Sequence, residues 1–304
     1  MTVVQQDAKP LAVGAGAPPS RITHPLPFSP GEVLTYDIGF SKFILSGIVG
    51  QLKLTVATVT DSSGQPAADQ AKTPDPGRNG SKEPADGASS SAVPTASSSF
   101  SVKPPANLKF VAETVSKGFV TWLFDLRVDD KYQSIVDPDD LGLIQSTKFV
   151  EEGNKHRQLD TAIDRPSGSL TYTEKDLNNE KAGPSIKKVK SPGWIQDLLS
   201  AIYFLRTQEL QQGKTLTVPV TDKGEIHNID VVVDKPEQVE VEAGKFNAFP
   251  VEIKVFDGKY IRRSGQLIIW FTDDASRLPV RARVKSAGAT ATIKLTHIQA
   301  GVQK

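Results

Sequence analysis

Residues 280–285 read Val-Arg-Ala-Arg-Val-Lys, with Val280, Ala282 and Val284 set against Arg281, Arg283 and Lys285. Strict alternation fits a strand with one buried and one wet face, because side chains change sides at every residue of a strand. The same idiom runs through most of the chain. Residues 48–59 place Leu52, Leu54 and Val56 on one side, and 109–115, 119–128, 131–136, 145–150, 157–163 and 169–173 follow as further strands. Turns such as Asp137-Pro138-Asp139-Asp140 and Pro166-Ser167-Gly168 separate several of them. Residues 267–271 (Leu-Ile-Ile-Trp-Phe) are apolar on both faces and must be covered on both. The pattern predicts a mainly β chain, folded as a single antiparallel β-barrel-like domain whose curved sheet is either closed or partly open.

One segment breaks the period. Ser191-Pro192 offers an N-cap and first-turn pair, and Ile195, Leu198, Leu199, Ile202 and Leu205 then recur at helical spacing. This predicts one amphipathic helix over 192–206, packed on the sheet, with Leu198 and Ile202 one turn apart on its buried face.

Two stretches lack any periodicity. Residues 1–30 are proline-rich and read as a disordered N-terminal arm; only 11–17 are continuously apolar, with Asp7 just before them, so no secretory leader is visible, although Ala15-Gly16-Ala17 resembles a cleavage site. Residues 61–105 contain 10 Ser, 7 Ala, 7 Pro and 4 Gly, with Phe100 the one large apolar side chain. Such a segment buries too little surface to offset its ordering entropy, and it reads as a disordered, low-complexity insertion in the loop of a hairpin. The remaining residues of 31–300, about 225 in number, suffice for one core.

Lys plus Arg number 36 against 35 Asp plus Glu, a net charge of +1, so no global field favours nucleic acid. The absence of cysteine excludes disulfides, thiolate metal sites, a cysteine nucleophile and a lipobox cysteine in this chain. No apolar run reaches the roughly 18–20 residues of a membrane-spanning helix.

Several pieces, taken in order, resemble a family of bacterial exported proteins known as Domain of Unknown Function 3108. They are Gly31-Glu32-Val33-Leu34-Thr35-Tyr36, Val136-Asp137-Pro138, the run from Gln196-Asp197-Leu198 to Phe204-Leu205-Arg206, Ala243-Gly244-Lys245-Phe246, and the run from Trp270-Phe271-Thr272-Asp273-Asp274 through Ser276-Arg277-Leu278-Pro279 to Val280. The resemblance covers 31–300 apart from the insertion. It implies a periplasmic or envelope-attached protein with an antiparallel barrel-like fold, similar to small envelope lipoproteins linked to polysaccharide export. It implies no activity and no catalytic residues.

Motifs for chemistry are sparse. His24, His156, His227 and His297 show no metal-ligand spacing, and His297 shares its alternate set with Ile293 and Leu295, which predicts a core or rim position. Asp129-Asp130, Asp139-Asp140 and Asp273-Asp274 read as turn residues rather than facing glycosidase carboxylates. The run from Asp137 fails as a calcium loop because Leu141 takes a ligand position and Lys148 stands where the bidentate Glu belongs. Ser185-Ile186-Lys187-Lys188 matches S-x-x-K but reads as a lysine-rich loop without the companion motifs. No Walker or dinucleotide glycine pattern is present, so no cofactor is expected.

The basic cluster remains. Arg281, Arg283 and Lys285, with Arg262, Arg263 and Arg277 upstream, could meet a phosphate or a carboxylated glycan, or could simply keep an outer face soluble. Arg281 and Arg283 would hold an anionic head group while Leu267, Ile269 and Phe271 meet an apolar chain. The resulting expectation is a non-enzymatic exported envelope protein, a binding or assembly module for an envelope lipid, polysaccharide or protein. The alternatives are a cell-wall hydrolase using carboxylates that the sequence does not pair, and a purely structural envelope protein.

Overall fold

Each alternating segment pairs with its neighbour in sequence, and the sum is one long antiparallel sheet. The computed structural model describes residues 25–43, 45–59, 106–116, 129–152, 155–179, 181–256 and 264–302. The strands are β1 (Val33–Lys42), β2 (Leu45–Thr58), β3 (Leu108–Ser116), β4 (Asp129–Val136), β5 (Leu143–Glu152), β6 (Lys155–Asp164), β7 (Ser169–Asp176) and β8 (Ser185–Lys190). After the helix α1 (Leu198–Arg206) come β9 (Thr215–Asp222), β10 (Glu225–Val233), β11 (Glu237–Val241), β12 (Gly244–Ile253), β13 (Gly265–Thr272), β14 (Pro279–Ser286) and β15 (Ala289–Gln299). The order across the sheet is β8-β7-β6-β5-β4-β3-β2-β1-β15-β14-β13-β12-β10-β9, with β11 paired to β12. β2 and β3 pair directly, from Thr58 opposite Leu108 to Gly50 opposite Ser116. Residues 60–105, and with them the predicted insertion, lie outside the described residues, as does the strand predicted over 119–128.

The sheet is not closed by a strand ladder between its edges β8 and β9. Residues 194–197 bridge the gap instead. Leu143 N donates to Ile195 O, Gln196 N donates to Pro219 O, and Thr221 N donates to Gln196 O, at 2.8–2.9 Å. The β9–β10 turn meets the opposite edge: a Cβ on Gly224, which has φ +68°, would lie 2.9 Å from Tyr172 Cβ and 3.1 Å from Lys187 Cδ. β8 corrects the loop expected at 185–188. As an edge strand studded with Lys187, Lys188 and Lys190, it discourages further pairing by charge.

Tying down 194–197 also shortens the helix. α1 begins at Leu198, not 192, because the backbone of the preceding residues is committed to the two strand systems. Its N-cap is Asp197, in a capping box with Ser200: Ser200 N donates to Asp197 Oδ1 at 2.7 Å and Asp197 N donates to Ser200 Oγ at 2.9 Å. The shift changes which side chains are buried. Leu198, predicted on the buried face, is 40% exposed, whereas Leu199, Tyr203, Phe204 and Leu205 are buried. α1 divides the core: Leu199 and Tyr203 join Leu34, Tyr36 and Phe110, while Phe204 and Leu205 join Val218, Val231, Ile269 and Phe271.

The apolar strand β13 is covered on both sides, as expected. Ile269 and Phe271 belong to the cluster of α1 and β9–β10, and Ile268 and Trp270 pack with Val239, Val241 and Ala248. Residues 25–30, read as the end of an unordered arm, are also held: Phe28 is buried, its ring 5.5 Å from Phe110 and 5.1 Å from Tyr203. The burial pattern predicts that Leu199→Ala costs about 2–5 kcal/mol and Leu198→Ala less than about 1 kcal/mol, measured by urea denaturation. Equal costs would contradict the observed helix start.

Candidate functional site

Residues directly opposite each other in an antiparallel sheet share a face. Across β13, β14, β15, β1 and β2, one such row runs Trp270, Arg281, Lys294, Asp37, Gln51, and the next runs Ile268, Arg283, Thr292, Gly39. A third row holds Gln266, Lys285, Thr290 and Ser41. On this face a cleft of about 640 Å³ opens between the outer strands and the β11–β12 turn, lined among others by Asp37, Thr290, Thr292, Lys294, Glu240 and Glu242. Its floor includes Gly39 and Gly47, where an added Cβ would meet only ordinary contacts or none. Neither glycine is demanded by packing. Their effect is to leave the floor low.

Arg281, Arg283 and Lys285 do lie on one face of β14, but the first two are half-buried rather than wet, because β11 lies against β14 and β15 there. Both guanidinium groups sit over the Trp270 ring, at 5.5 and 5.1 Å, and Arg281 Nη2 donates to Glu240 O at 2.9 Å. Trp270 is fixed in turn by its Nε1, which donates to Glu237 Oε1 at 2.7 Å. Among the described residues, Arg283, Lys285 and Lys294 make no ion pair, whereas Asp37 accepts from Gln51 Nε2 at 3.2 Å. Arg262 and Arg263 lie outside the described residues. Arg277 belongs elsewhere: it sits in the β13–β14 turn, over the Phe249 ring and 3.7 Å from Asp273.

The apolar half of the expected amphiphile site is not available. Leu267, Ile269 and Phe271 face the opposite side of β13 from the arginines, in the cluster filled by α1 and β9–β10. Alternation along β13 forces this separation, since of its apolar residues Trp270 and Ile268 share the arginine face.

The buried polar groups serve the fold. Arg206 is fully buried and grips Glu32 through both terminal nitrogens, at 2.6 and 2.9 Å, while also donating to Pro27 O and Ser276 O. Asp197, also buried, accepts from Ser134 Oγ at 2.6 Å as well as from Ser200 N and Tyr132. Burial raises its carboxyl above the ordinary aspartate range, against the lowering effect of those donors. Burial likewise pushes the Tyr132 and Tyr36 hydroxyls up.

Other candidate residues resolve one by one. Asp139 and Asp140 are turn residues, as read, and Asp140 holds Arg165 at 2.9 Å while accepting from Gly142 N. A Cβ on Gly142 would run into the Arg165 guanidinium and Trp194. Asp274 also organises its turn, where hydrogen bonds from Ser276, Thr272 and Arg277 outweigh burial and lower its pKa. Asp129-Asp130, by contrast, begin β4, and Asp130 accepts from Glu151 N. His297 is exposed rather than in the core, because a bulge at Thr296 shifts the register between Thr35 and Tyr36 and turns it outward. His156 and His227 lie on β6 and β10, and His24 lies outside the described residues. Among the described residues no group of three or more His, Cys, Asp or Glu is placed to hold a metal, and no helix is long and apolar enough to cross a membrane.

The pieces that carried the family resemblance converge on these fold-holding contacts, at Glu32, Asp137, Gln196, Asp197, Arg206 and Ser276. The description "Protein of unknown function (DUF3108)" matches residues 89–296, more than half of the chain. The chain belongs to this family. β1 and β2 of this DUF3108 protein, with Glu32 and Asp37, precede the matched span. Among solved structures it is similar to a β-barrel-like protein of domain of unknown function DUF1849 from Brucella abortus, at 11% identity and a TM-score of 0.49, over 88% of this chain and 97% of that one. It is similar also to a DUF1089 family protein from Pseudomonas aeruginosa, at 13% identity and a TM-score of 0.30, over 57% of this chain and 82% of that one. No curated protein matches the sequence.

Two variants test the reading of the buried groups. Glu32→Gln leaves Arg206 charged and unpaired, and is expected to cost about 3–5 kcal/mol in chemical denaturation; a cost below about 1 kcal/mol would mean that the pair carries no structural weight. Asp197 has its folded-state pKa raised, so its contribution is fully present below the unfolded carboxyl pKa and is lost as pH rises through the folded value. Asp197→Asn keeps an N-cap acceptor without the ionisation, so its stability relative to wild type should improve from about pH 4 to about pH 7. A pH-independent difference between the two would exclude this linkage.

Proposed function

We propose that this DUF3108 protein is a non-enzymatic binding module of the bacterial cell envelope, and that its cleft holds a segment of acidic polysaccharide. The observation that carries the reading is Lys294 directly opposite Arg281, with Arg283 and Lys285 on the neighbouring rows of the same face. Like charges in register repel; Asp37, opposite Lys294 on its other side, offsets part of this, and among the described residues neither Arg283 nor Lys294 makes an ion pair. An anionic ligand relieves that repulsion. Lys294 is the cation that lines the cleft itself, with Arg281 and Arg283 beside it; the hydroxyls of Thr290 and Thr292 and the carboxylates of Asp37, Glu240 and Glu242 suit the hydroxyl groups of a sugar, and the cleft has the size of a small-molecule site.

Both oxygens of the buried Asp197 carboxyl are engaged, one by the helix cap and the other by Ser134, which supports a binding rather than a hydrolytic reading. The envelope setting rests on the family resemblance of the sequence.

Titration calorimetry with polygalacturonate oligomers, and with neutral dextran as control, tests the reading. Wild type is expected to bind the polyuronate at low salt, more weakly as salt rises. Arg283→Glu combined with Lys294→Glu should lower the affinity by about tenfold or more at an unchanged melting temperature. Equal binding of dextran, or indifference to the double charge reversal, would refute a cleft selective for acidic glycans.

A further inference from the structure

The β1–β2 hairpin ends in a two-residue connection, Phe43-Ile44, between the paired residues Lys42 and Leu45. Connections this short need positive φ, which Asn, Asp and Gly supply at little cost. Phe43 instead holds φ +54° with 89% of its surface exposed. A water-facing tip gains nothing from a strained, bare phenyl ring. A second large apolar side chain, Ile48, is 54% exposed on β2 three residues in from the Lys42–Leu45 pair, whereas Val115, 50% exposed, lies opposite Gln51, six residues in.

The charges around this tip are one-sided. Lys42 is exposed, with its ammonium 5.8 Å from the Phe43 ring centre, and Lys285 is exposed where β14 reaches the same end. Neither makes an ion pair among the described residues. Farther round this end the strand termini carry both signs: Glu113 is paired with Lys131 at 2.8 Å, Asp130 takes the Glu151 amide, and Asp176, Asp222 and Glu225 lie on β7, β9 and β10. The opposite end carries the acidic turns of Asp137, Asp140, Asp164, Asp273 and Asp274. The hairpin tip itself is thus apolar and basic among the described residues, while Arg165 and Arg277 offset part of the acidic charge at the opposite end.

We propose that the Phe43 tip of the sheet docks on an anionic lipid surface, with Phe43 entering the interfacial layer and Lys42 and Lys285 meeting head-group phosphates. Tip-to-tip pairing of two copies is disfavoured by the same charges, because a two-fold contact brings Lys42 against Lys42. The surface lies beside the cleft, whose lining includes Ile48, but it does not depend on what the cleft binds.

Sedimentation of the full chain with phosphatidylglycerol/phosphatidylethanolamine vesicles at low salt tests the proposal. Wild type should co-sediment, Phe43→Asp should weaken binding by about tenfold or more, and Val115→Asp, away from the tip, should leave it unchanged, both at an unchanged melting temperature. Phe43→Trp should keep binding and add an emission component that shifts to the blue with lipid and is quenched by brominated acyl chains. Failure of wild type to sediment, or binding insensitive to Phe43→Asp, would overturn the proposal. So would a clear fall in melting temperature for Phe43→Asp, which would show the tip covered by the chain's own residues, or a wild-type dimer dissolved by that substitution.

Discussion

The fold turns on a single buried guanidinium. Arg206, at the last turn of α1, holds Glu32 bidentately, takes the carbonyls of Pro27 and Ser276, and lies over the rings of Phe28 and Tyr203 at 5.0 and 5.5 Å. These contacts join the lead into β1, the helix and the β13–β14 turn, three regions that chain connectivity leaves far apart. A buried ion pair with incomplete partners is a net cost, and this one is tolerable because further donors and acceptors complete its geometry. Its position at the helix C-terminus adds a favourable interaction with the helix dipole. The stacked pair Phe110–Tyr203, 3.9 Å between ring centres, then extends this fixed point into the barrel core. Orientation is thus set by a polar contact and volume by an apolar one.

The same logic explains how a sheet with free edges stays curved. Nothing pairs β8 with β9 among the described residues, yet the interior is sealed because residues 194–197 commit their backbone groups to both strand systems before α1 begins. Trp194 Nε1 donates to Asp140 O and Gln196 Nε2 to Leu141 O, so the bridge is also pinned through its side chains. A helix begun at Pro192 would have satisfied local preferences and left those strand groups unpaired. Non-local hydrogen bonding therefore overrides helical periodicity here.

This conflict marks the limit of what the sequence reveals. The strands of 280–285 and 267–271 are legible because alternation and burial report a purely local geometry. The family pieces are legible too, and the structure gives them a physical reason in Glu32, Arg206, Asp197 and Ser276. The helix start is not legible, since Ser191-Pro192 is locally as good a beginning as Asp197 and only the partners of Gln196 decide between them. His297 is misplaced by simple alternation because the bulge at Thr296 reverses the count. The arginines of β14 are visible as a stripe, but Lys294 and Asp37 join them only through register, which carries no signal at that distance along the chain.

Register shifts also explain why a polar cleft can form on strands whose other face is core. Shifts at Thr296 between β1 and β15, at Val49 between β1 and β2, and at Val280 between β13 and β14 flank the cleft or the Trp270 shelf beside it, while a further one, at Ile144 between β4 and β5, lies away from it. Each inserts one residue, bends the strand and re-aims the side chains beyond it. Without the shift at Thr296, Leu295 and His297 would share a face, and either an imidazole would enter the core or a leucine would leave it. The bulges let Leu34, Tyr36, Leu295 and Val280 stay inside while Asp37, Lys294, Arg281 and Arg283 share the outer face. These irregularities in the ladder are therefore the means by which one sheet keeps an apolar core on one side and gathers charged side chains on the other.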